Sequence, residues 1–304
     1  MTVCILVHHL LMNRFLYELI NEMEKTMHPI LFFAEAEKLK HAKNTKELGR
    51  YRLYAILDLV YRHRFATPHV VKTMFGLKGS SEYRILNGYA KKNFLRKVPT
   101  ANPMSPWIYI LTKSGMSILF NSWSHIGYVE EKELRPFYDP SKLNLNNMTH
   151  TLATQIVTLD LLLNDENDYV SYLSERELEA DGSKKSLKQP DVLVADKNGQ
   201  NILAVEVELT LKSKRALDHS FASNKKILMT GEAGYQASRV AYITQSPMIF
   251  KKLDKLARSK EIDRWIRDKD QGRWIKSGTV KMHEIVDKDL IDIYHYEHLN
   301  RLYP

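Results

Sequence analysis

The sequence predicts a mixed α+β protein in two units: a helical one closed by a β-hairpin, then an αβ one organised around a second hairpin. Three observations predict it. Over 47–125 the apolar residues recur at helical spacing three times and then at strand spacing twice. From 147 to 258 short apolar strands and amphipathic helices interleave in the order α-β-β-β-α-β-α, within a second unit drawn as 140–304. Between the two, 121–147 holds Pro136, Pro140, few aliphatic residues and mixed charge, the composition of a domain boundary.

At 304 residues the chain is long enough for two units, each with its own core. Its 45 Lys and Arg outnumber 36 Asp and Glu, and the net charge of +9 suits a polyanionic partner. The single cysteine, Cys4, excludes an internal disulfide framework and a multi-cysteine zinc site, and it fits a reducing cytoplasm. Residues 3–20 are apolar, but His8, His9, Asn13, Arg14 and Glu18 interrupt them. With no basic region before them and no small-residue cleavage site after, an amphipathic helix is expected rather than a signal or a membrane insertion. The segment 1–46 reads as a helix, a break at His28-Pro29 and a second helix, and it carries no nameable chemistry.

In the first unit Leu53, Ile56, Leu57 and Val60 stand at i, i+3, i+4, i+7, so one helix face is apolar, and the helix ends in Arg62-His63-Arg64. Thr67 as N-cap with Pro68 at the first helical position starts a second helix that Gly76 stops. Ser80 or Ser81 caps a third, with Ile85, Leu86, Tyr89 and Ala90 inward and Arg84, Lys91 and Lys92 outward. Strands at 94–98 and 107–111 enclose a turn, and 112–120 closes the unit as a short helix. Three helices and a hairpin is the order of a winged helix, whose third helix enters the DNA major groove. A winged helix can serve protein contacts instead; Arg84, Lys91, Lys92, Arg96 and Lys97 favour DNA, because phosphate neutralisation needs such a cluster.

The second unit opens with a helix over 147–164 whose stripe is Leu152, Ile156, Leu159 and Leu163, with His150 at its start. A strand is expected at 169–178, a hairpin at 192–195 and 202–209 turned by Asn198-Gly199, a helix at 213–230, a strand at 238–244 and a helix at 247–258. Along 202–209 the faces alternate, so Leu203, Val205, Val207 and Leu209 point one way and Ile202, Ala204, Glu206 and Glu208 the other. At a rise of ~3.3 Å per residue the two carboxylates lie ~7 Å apart. At an effective dielectric of ~20 they repel by roughly 2 kcal/mol. A cation is the natural reason to tolerate that, although a surface hairpin with a solvated acidic face is the plain alternative. Folded back by the turn, Asp191 would bring a third carboxylate, and three oxygen ligands suit Mg²⁺ or Mn²⁺.

Pro190-Asp191, fourteen residues, then Glu206-Val207-Glu208 resembles the active-site signature of the PD-(D/E)XK nuclease superfamily, with Glu in place of the final Lys. The element order is similar to the core of its restriction-endonuclease-like fold. The resemblance implies metal-assisted phosphodiester hydrolysis, with Asp191 and Glu206 as metal ligands and Glu208 orienting or deprotonating the attacking water. With Ser174-Glu175-Arg176-Glu177 ahead of the motif and a lysine-bearing helix after it, 51–258 is similar to the replication-relaxation family of plasmid proteins, which includes MobC-type relaxases. That likeness implies strand-specific nicking of double-stranded DNA at a plasmid transfer origin, or relaxation linked to replication. It also implies accessory mobilisation proteins and a secretion coupling protein as partners.

Further candidates flank the motif. Glu175 and Glu177 would share a strand face, and either could add a fourth acid; Lys214 or Lys225 could supply the charge missing at position 208. His295 and His298, three apart on an expected helix, could bind metal but more simply form a solvated pair. The commoner relaxases attack with tyrosine and hold metal through a His-apolar-His motif; no His-x-His occurs here, which favours a metal-activated water as nucleophile. The expected function is therefore a cytoplasmic, Mg²⁺- or Mn²⁺-dependent nicking endonuclease. The alternative is a DNA-binding regulator of plasmid replication or transcription whose nuclease-like unit is inactive.

Overall fold

Asn44 starts the first helix among the described residues of the computed structural model by accepting from the Lys46 and Glu47 backbone N–H groups (3.1 and 2.9 Å), two donors that a helix start leaves open. The structure describes residues 43–102, 105–125, 147–164, 166–180, 188–196, 198–230, 235–268, 273–297 and 299. The expected helices of 1–42, most of the spacer at 121–147 and His298 lie outside them.

Helix α1 (Thr45–His63) buries Ile56, Leu57 and Val60 as its spacing predicts. Thr67 Oγ1 accepts from the Val70 N–H (3.3 Å) to start α2 (Pro68–Phe75), and Gly76 ends it at φ 57°, a left-handed conformation that only glycine adopts without cost. Helix α3 (Ser81–Lys91) sets Leu86 in the core; neither expected cap forms, because Ser80 makes no capping bond and the Ser81 hydroxyl donates to the Lys78 carbonyl. Strands β1 (Leu95–Pro99) and β2 (Trp107–Leu111) pair antiparallel, and α4 (Lys113–His125) follows. Here Gly115 is obligatory, since a Cβ would overlap the Phe94 carbonyl oxygen.

Helix α5 (Met148–Leu163) leads into a five-stranded sheet of order β3 (Tyr169–Ser174), β4 (Val192–Asp196), β5 (Ile202–Val207), β6 (Arg239–Thr244), β9 (Ile291–His295). The first two pairings are antiparallel and the last two parallel. The β4–β5 turn forms as expected: Gly199 takes φ 65°, and Asp196 Oδ1 accepts from the Asn198 and Gln200 N–H groups. Leu203, Val205 and Val207 join Leu152 and Ile156 of α5 on one face. On the other, Ile202 and Ala204 join Phe221 of α7 (Lys214–Met229) and Leu253 of α8 (Pro247–Ala257). Beyond α8 the chain adds an antiparallel ribbon, β7 (Glu261–Arg267) with β8 (Trp274–Lys281), and the short α9 (His283–Asp287).

Four expectations need correction. The strand expected over 202–209 ends at Val207, so Glu208 lies just beyond it rather than on its face. The strand expected over 169–178 stops at Ser174, and Glu175–Ala180 is a helix, α6. The reason is one arm of a capping box: Glu177 Oε2 accepts from both the backbone N–H and the hydroxyl of Ser174 (2.9 Å each), from a Ser-x-x-Glu signal visible in the sequence. Glu175 and Glu177 therefore do not share a strand face. His295 ends β9 rather than lying on a helix, its Nε2 2.9 Å from the Gln245 carbonyl oxygen. Leu163 is exposed, and Leu162 fills the α5 stripe instead.

The two halves share one core. A single apolar cluster runs from Ile56 and Val60 of α1 through Leu152 and Ile156 of α5 to Val194, Val205 and Ala241 of the sheet. A buried charge network crosses the same junction. Arg62 bonds Asp58 Oδ2 through Nε (3.0 Å), and Glu177 Oε1 and the Tyr172 carbonyl through Nη1 (3.0 Å each), with its guanidinium 4.9 Å from the Tyr172 ring centroid. Among the described residues no helix is long and apolar enough to cross a membrane.

Candidate active site

The pairing of β4 with β5 brings the acidic motif together. Asp191, just before β4, donates its N–H to the Val205 carbonyl (3.0 Å), so it stays against β5 although the ladder ends at Val192. Its carboxylate then accepts from the Val207 N–H at Oδ2 (2.7 Å). His150 of α5 reaches the same point, with Nε2 3.3 Å from Asp191 Oδ2 and 2.9 Å from the Val207 carbonyl oxygen. Burial works to raise the Asp191 pKa, but the His150 hydrogen bond and charge, Lys188 and the Val207 N–H outweigh it and hold the carboxyl below its ordinary value. For His150, burial pulls the pKa down, while Asp191 and the Val207 carbonyl raise it to about 9.

Glu206 is fully buried on the α7 side of the sheet. The Lys188 ammonium binds its Oε2, and Asn224 Nδ2 lies 3.4 Å from Oε1 while donating to the Tyr242 hydroxyl (2.7 Å). Ser220 Oγ shares a hydrogen bond with that hydroxyl (2.9 Å) and lies 3.4 Å from Lys188 Nζ. Burial pushes the Glu206 carboxyl up to about 7 against the pull of Lys188, and the Asp191 and Glu208 charges add to the rise. Lys188 is held above its ordinary pKa: burial lowers it, but Glu206 and Asp191 more than compensate. Glu208 is also buried; its N–H donates to the Ile243 carbonyl (2.8 Å), and Lys212 Nζ donates to its Oε1 (2.5 Å).

A cavity of about 250 Å³ opens onto Asp191 between α1, α5 and α6. Arg64, His150, Glu175 and Arg176 also line it. The Glu175 N–H donates to the Asp191 carbonyl (3.0 Å), which puts this exposed side chain at the cavity beside the motif, from a helix start rather than a strand. Glu177, by contrast, is spent on Arg62 and the Ser174 cap.

The structure thus puts Asp191 and Glu175 at one cavity and buries Glu206 and Glu208 on the neighbouring strand and its end, but brings neither lysine expected to assist them. Lys214 binds Asp218 (Oδ2, 2.9 Å) and Asp263, and Lys225 donates to the Lys281 carbonyl (2.7 Å). Helical geometry is the reason: at 3.6 residues per turn Lys214, Asp218 and Lys225 fall on one face of α7, about a third of a turn from Ser220 and Asn224, which face Glu206. As Lys212 arrives at Glu208, the lysine that arrives at Glu206 is Lys188, two residues before Pro190. Its nearness to the motif was a legible signal, but its direction was not. Arg84 and Lys91 of α3, Lys92 at its C-terminal cap, and Arg96 and Lys97 of β1 are all exposed, with Lys97 Nζ 4.1 Å from the Trp107 ring centroid.

As the side chains stand, no group of three or more His, Cys, Asp or Glu among the described residues is set to hold a metal ion. Lys188, Lys212 and His150 carry the compensating positive charge. The pair Asp191 and Glu206 fits a hard divalent ion in donor type, and Asp191 Oδ1 accepts no hydrogen bond among the described residues. Glu208, taken by Lys212, fits less well. No protein-family model, no curated protein and no solved structure matches the chain.

Proposed function

We propose that the chain is a metal-dependent endonuclease that nicks DNA, with a winged helix that seats the duplex and a PD-(D/E)XK core of the kind found in plasmid mobilisation relaxases. One observation carries this reading: two buried carboxylates, Asp191 just before β4 and Glu206 on β5, stand at the open end of one β-hairpin, with a lysine ammonium bound to the second. Each buried charge costs several kcal/mol (order of magnitude) in desolvation, and this set, unlike the Arg62 network, includes a carboxylate, Asp191, that opens onto a cavity beside exposed Glu175. A cation held by such carboxylates would stabilise the negative charge that develops in phosphoryl transfer. The element order, with two antiparallel pairings followed by a parallel one, supports the nuclease core, and five exposed cations on α3 and β1 support the winged helix.

In this reading Asp191 and Glu206 hold Mg²⁺ or Mn²⁺, which supplies Lewis-acid stabilisation of the phosphoryl charge. Lys188 neutralises Glu206 and adds a positive charge beside the scissile phosphate. His150 keeps Asp191 ionised and oriented through its 3.3 Å contact. Arg64 and Arg176, lining the cavity, suit the approach of a phosphate. Glu175, at the same cavity, is placed to orient a water.

The test is incubation of supercoiled plasmids, with and without a candidate transfer origin, in Mg²⁺ or Mn²⁺, with open-circle and linear forms separated on gels. Wild-type conversion to open circle, lost in Asp191→Ala and Glu206→Ala, is the expected result; wild-type rates in either variant would refute the assignment. Denaturing electrophoresis of end-labelled DNA should show no label retained on protein, because water rather than tyrosine attacks. The second reading, a DNA-binding regulator without cleavage, is favoured by one observation: lysines already neutralise Glu206 and Glu208. Origin binding without nicking in either metal would select it.

A further inference from the structure

Resting on the reading of duplex DNA as the partner, we propose that the β7–β8 ribbon is a second DNA-contacting arm, separate from α3 and β1, that lies in a groove of the duplex. The ribbon stands clear of the sheet, paired only with itself. Most of its residues are exposed, including the large side chains of Trp274 (47%) and Ile266 (43%). Arg264, Arg267 and Arg273 are exposed beside them, and none makes an ion pair among the described residues. Asp263, next to Arg264 on the same strand, is already neutralised by Lys214 and Lys276. The surface is therefore cationic and aromatic, as nucleic-acid contacts are.

Size and anchoring agree with a groove. Seven- and eight-residue strands at ~3.3 Å per residue make a ribbon about 25 Å long. A two-stranded ribbon is one of the two elements that the ~12 Å major groove admits. The ribbon is also held firmly. Trp265 Nε1 donates to the buried Asp218 of α7 (2.9 Å), Lys214 joins that carboxylate to Asp263, and the Arg215 guanidinium lies 4.7 Å from the Trp274 ring centroid. The same helix presents Ser220 and Asn224 toward Lys188 and Glu206. One element thus fixes both the arm and the acidic pair, so DNA seated on the ribbon has a defined position relative to the candidate site. Lys214, absent from the carboxylates, has its role here.

The experiment is fluorescence anisotropy of a labelled 30-base-pair duplex, in EDTA so that cleavage cannot contribute, across a range of salt concentrations. The triple variant R264Q/R267Q/R273Q is compared with K251Q/K255Q/K288Q, which removes the same charge from exposed positions on α8 and at the end of α9. Thermal melts confirm that both fold. The expected result is a slope of log K against log salt flattened by about 2 to 3 in the ribbon variant and unchanged in the control, since each neutralised phosphate contributes roughly 0.9. Equal flattening in both variants, or a wild-type slope in the ribbon variant, overturns the arm while leaving DNA binding in place. If the wild-type chain binds no duplex, the DNA reading falls and the arm with it. Binding with the expected slopes supports the arm even where no nicking occurs.

Discussion

Replacing Arg62 with methionine tests whether the two halves are one cooperative structure. The guanidinium is fully buried and binds Asp58, Glu177 and the Tyr172 carbonyl, so Arg62→Met strands two carboxylates that are 2% and 6% exposed. Removing one partner of such a network costs about 3–5 kcal/mol. At about 2–4 °C per kcal/mol for a chain of this size, the melting temperature should fall by roughly 10 °C. The deficit has a pH signature. Burial already raises Asp58 to about 6 against the pull of Arg62, and without the arginine its folded pKa rises further. A folded pKa above the unfolded one gives stability that is present at low pH and lost as pH rises, so the deficit should shrink from pH 7 to pH 5. Thermal and urea unfolding followed by circular dichroism at both pH values reads this out. The compensated variant R62M/D58L/E177Q, in which Gln keeps the Ser174 cap, should recover more than half of the loss. A deficit below about 1 kcal/mol at pH 7, or two separate transitions of which only one moves, would refute the shared junction.

Other perturbations address the site and its surroundings. Lys188→Met leaves Glu206 buried without its ammonium, which should raise that carboxyl above its present value of about 7 and abolish nicking while duplex affinity stays within twofold; unimpaired nicking would remove Lys188 from the chemistry. His150 is raised from about 6.5 to about 9, so its stabilisation is complete below pH 6.5 and lost as pH rises through 9. Melting curves of wild type and His150→Asn should therefore differ at pH 6 and converge above pH 9, and a constant gap would show that the Asp191 contact is not electrostatic. Charge reversal of Lys91 and Lys92 should weaken binding to all duplex sequences and flatten the salt slope by about 0.9 for each phosphate that is no longer neutralised. An unchanged slope would turn the helical unit toward a protein partner.

Much of this protein was legible in its sequence because the decisive forces there are local. Alternation along 202–207 determined that Glu206 shares a face with Ala204, and Asn198-Gly199 determined the turn that folds Asp191 back to β5. Thr67-Pro68 and Gly76 bounded α2, since caps act within a few residues. Tertiary structure decided what distance along the chain conceals. Arg62 meets Glu177 across 115 positions, and nothing in Arg62-His63-Arg64 distinguishes a buried bridge from a solvated basic end. Three lysines near the motif carry the same chemistry, and only the rotation of α7 and the path of the chain into Pro190 selected Lys188 over Lys214 and Lys225 for Glu206. A side chain's type follows from the sequence, but its partner follows from how helices and sheet pack, because burial makes one pairing far cheaper than the rest.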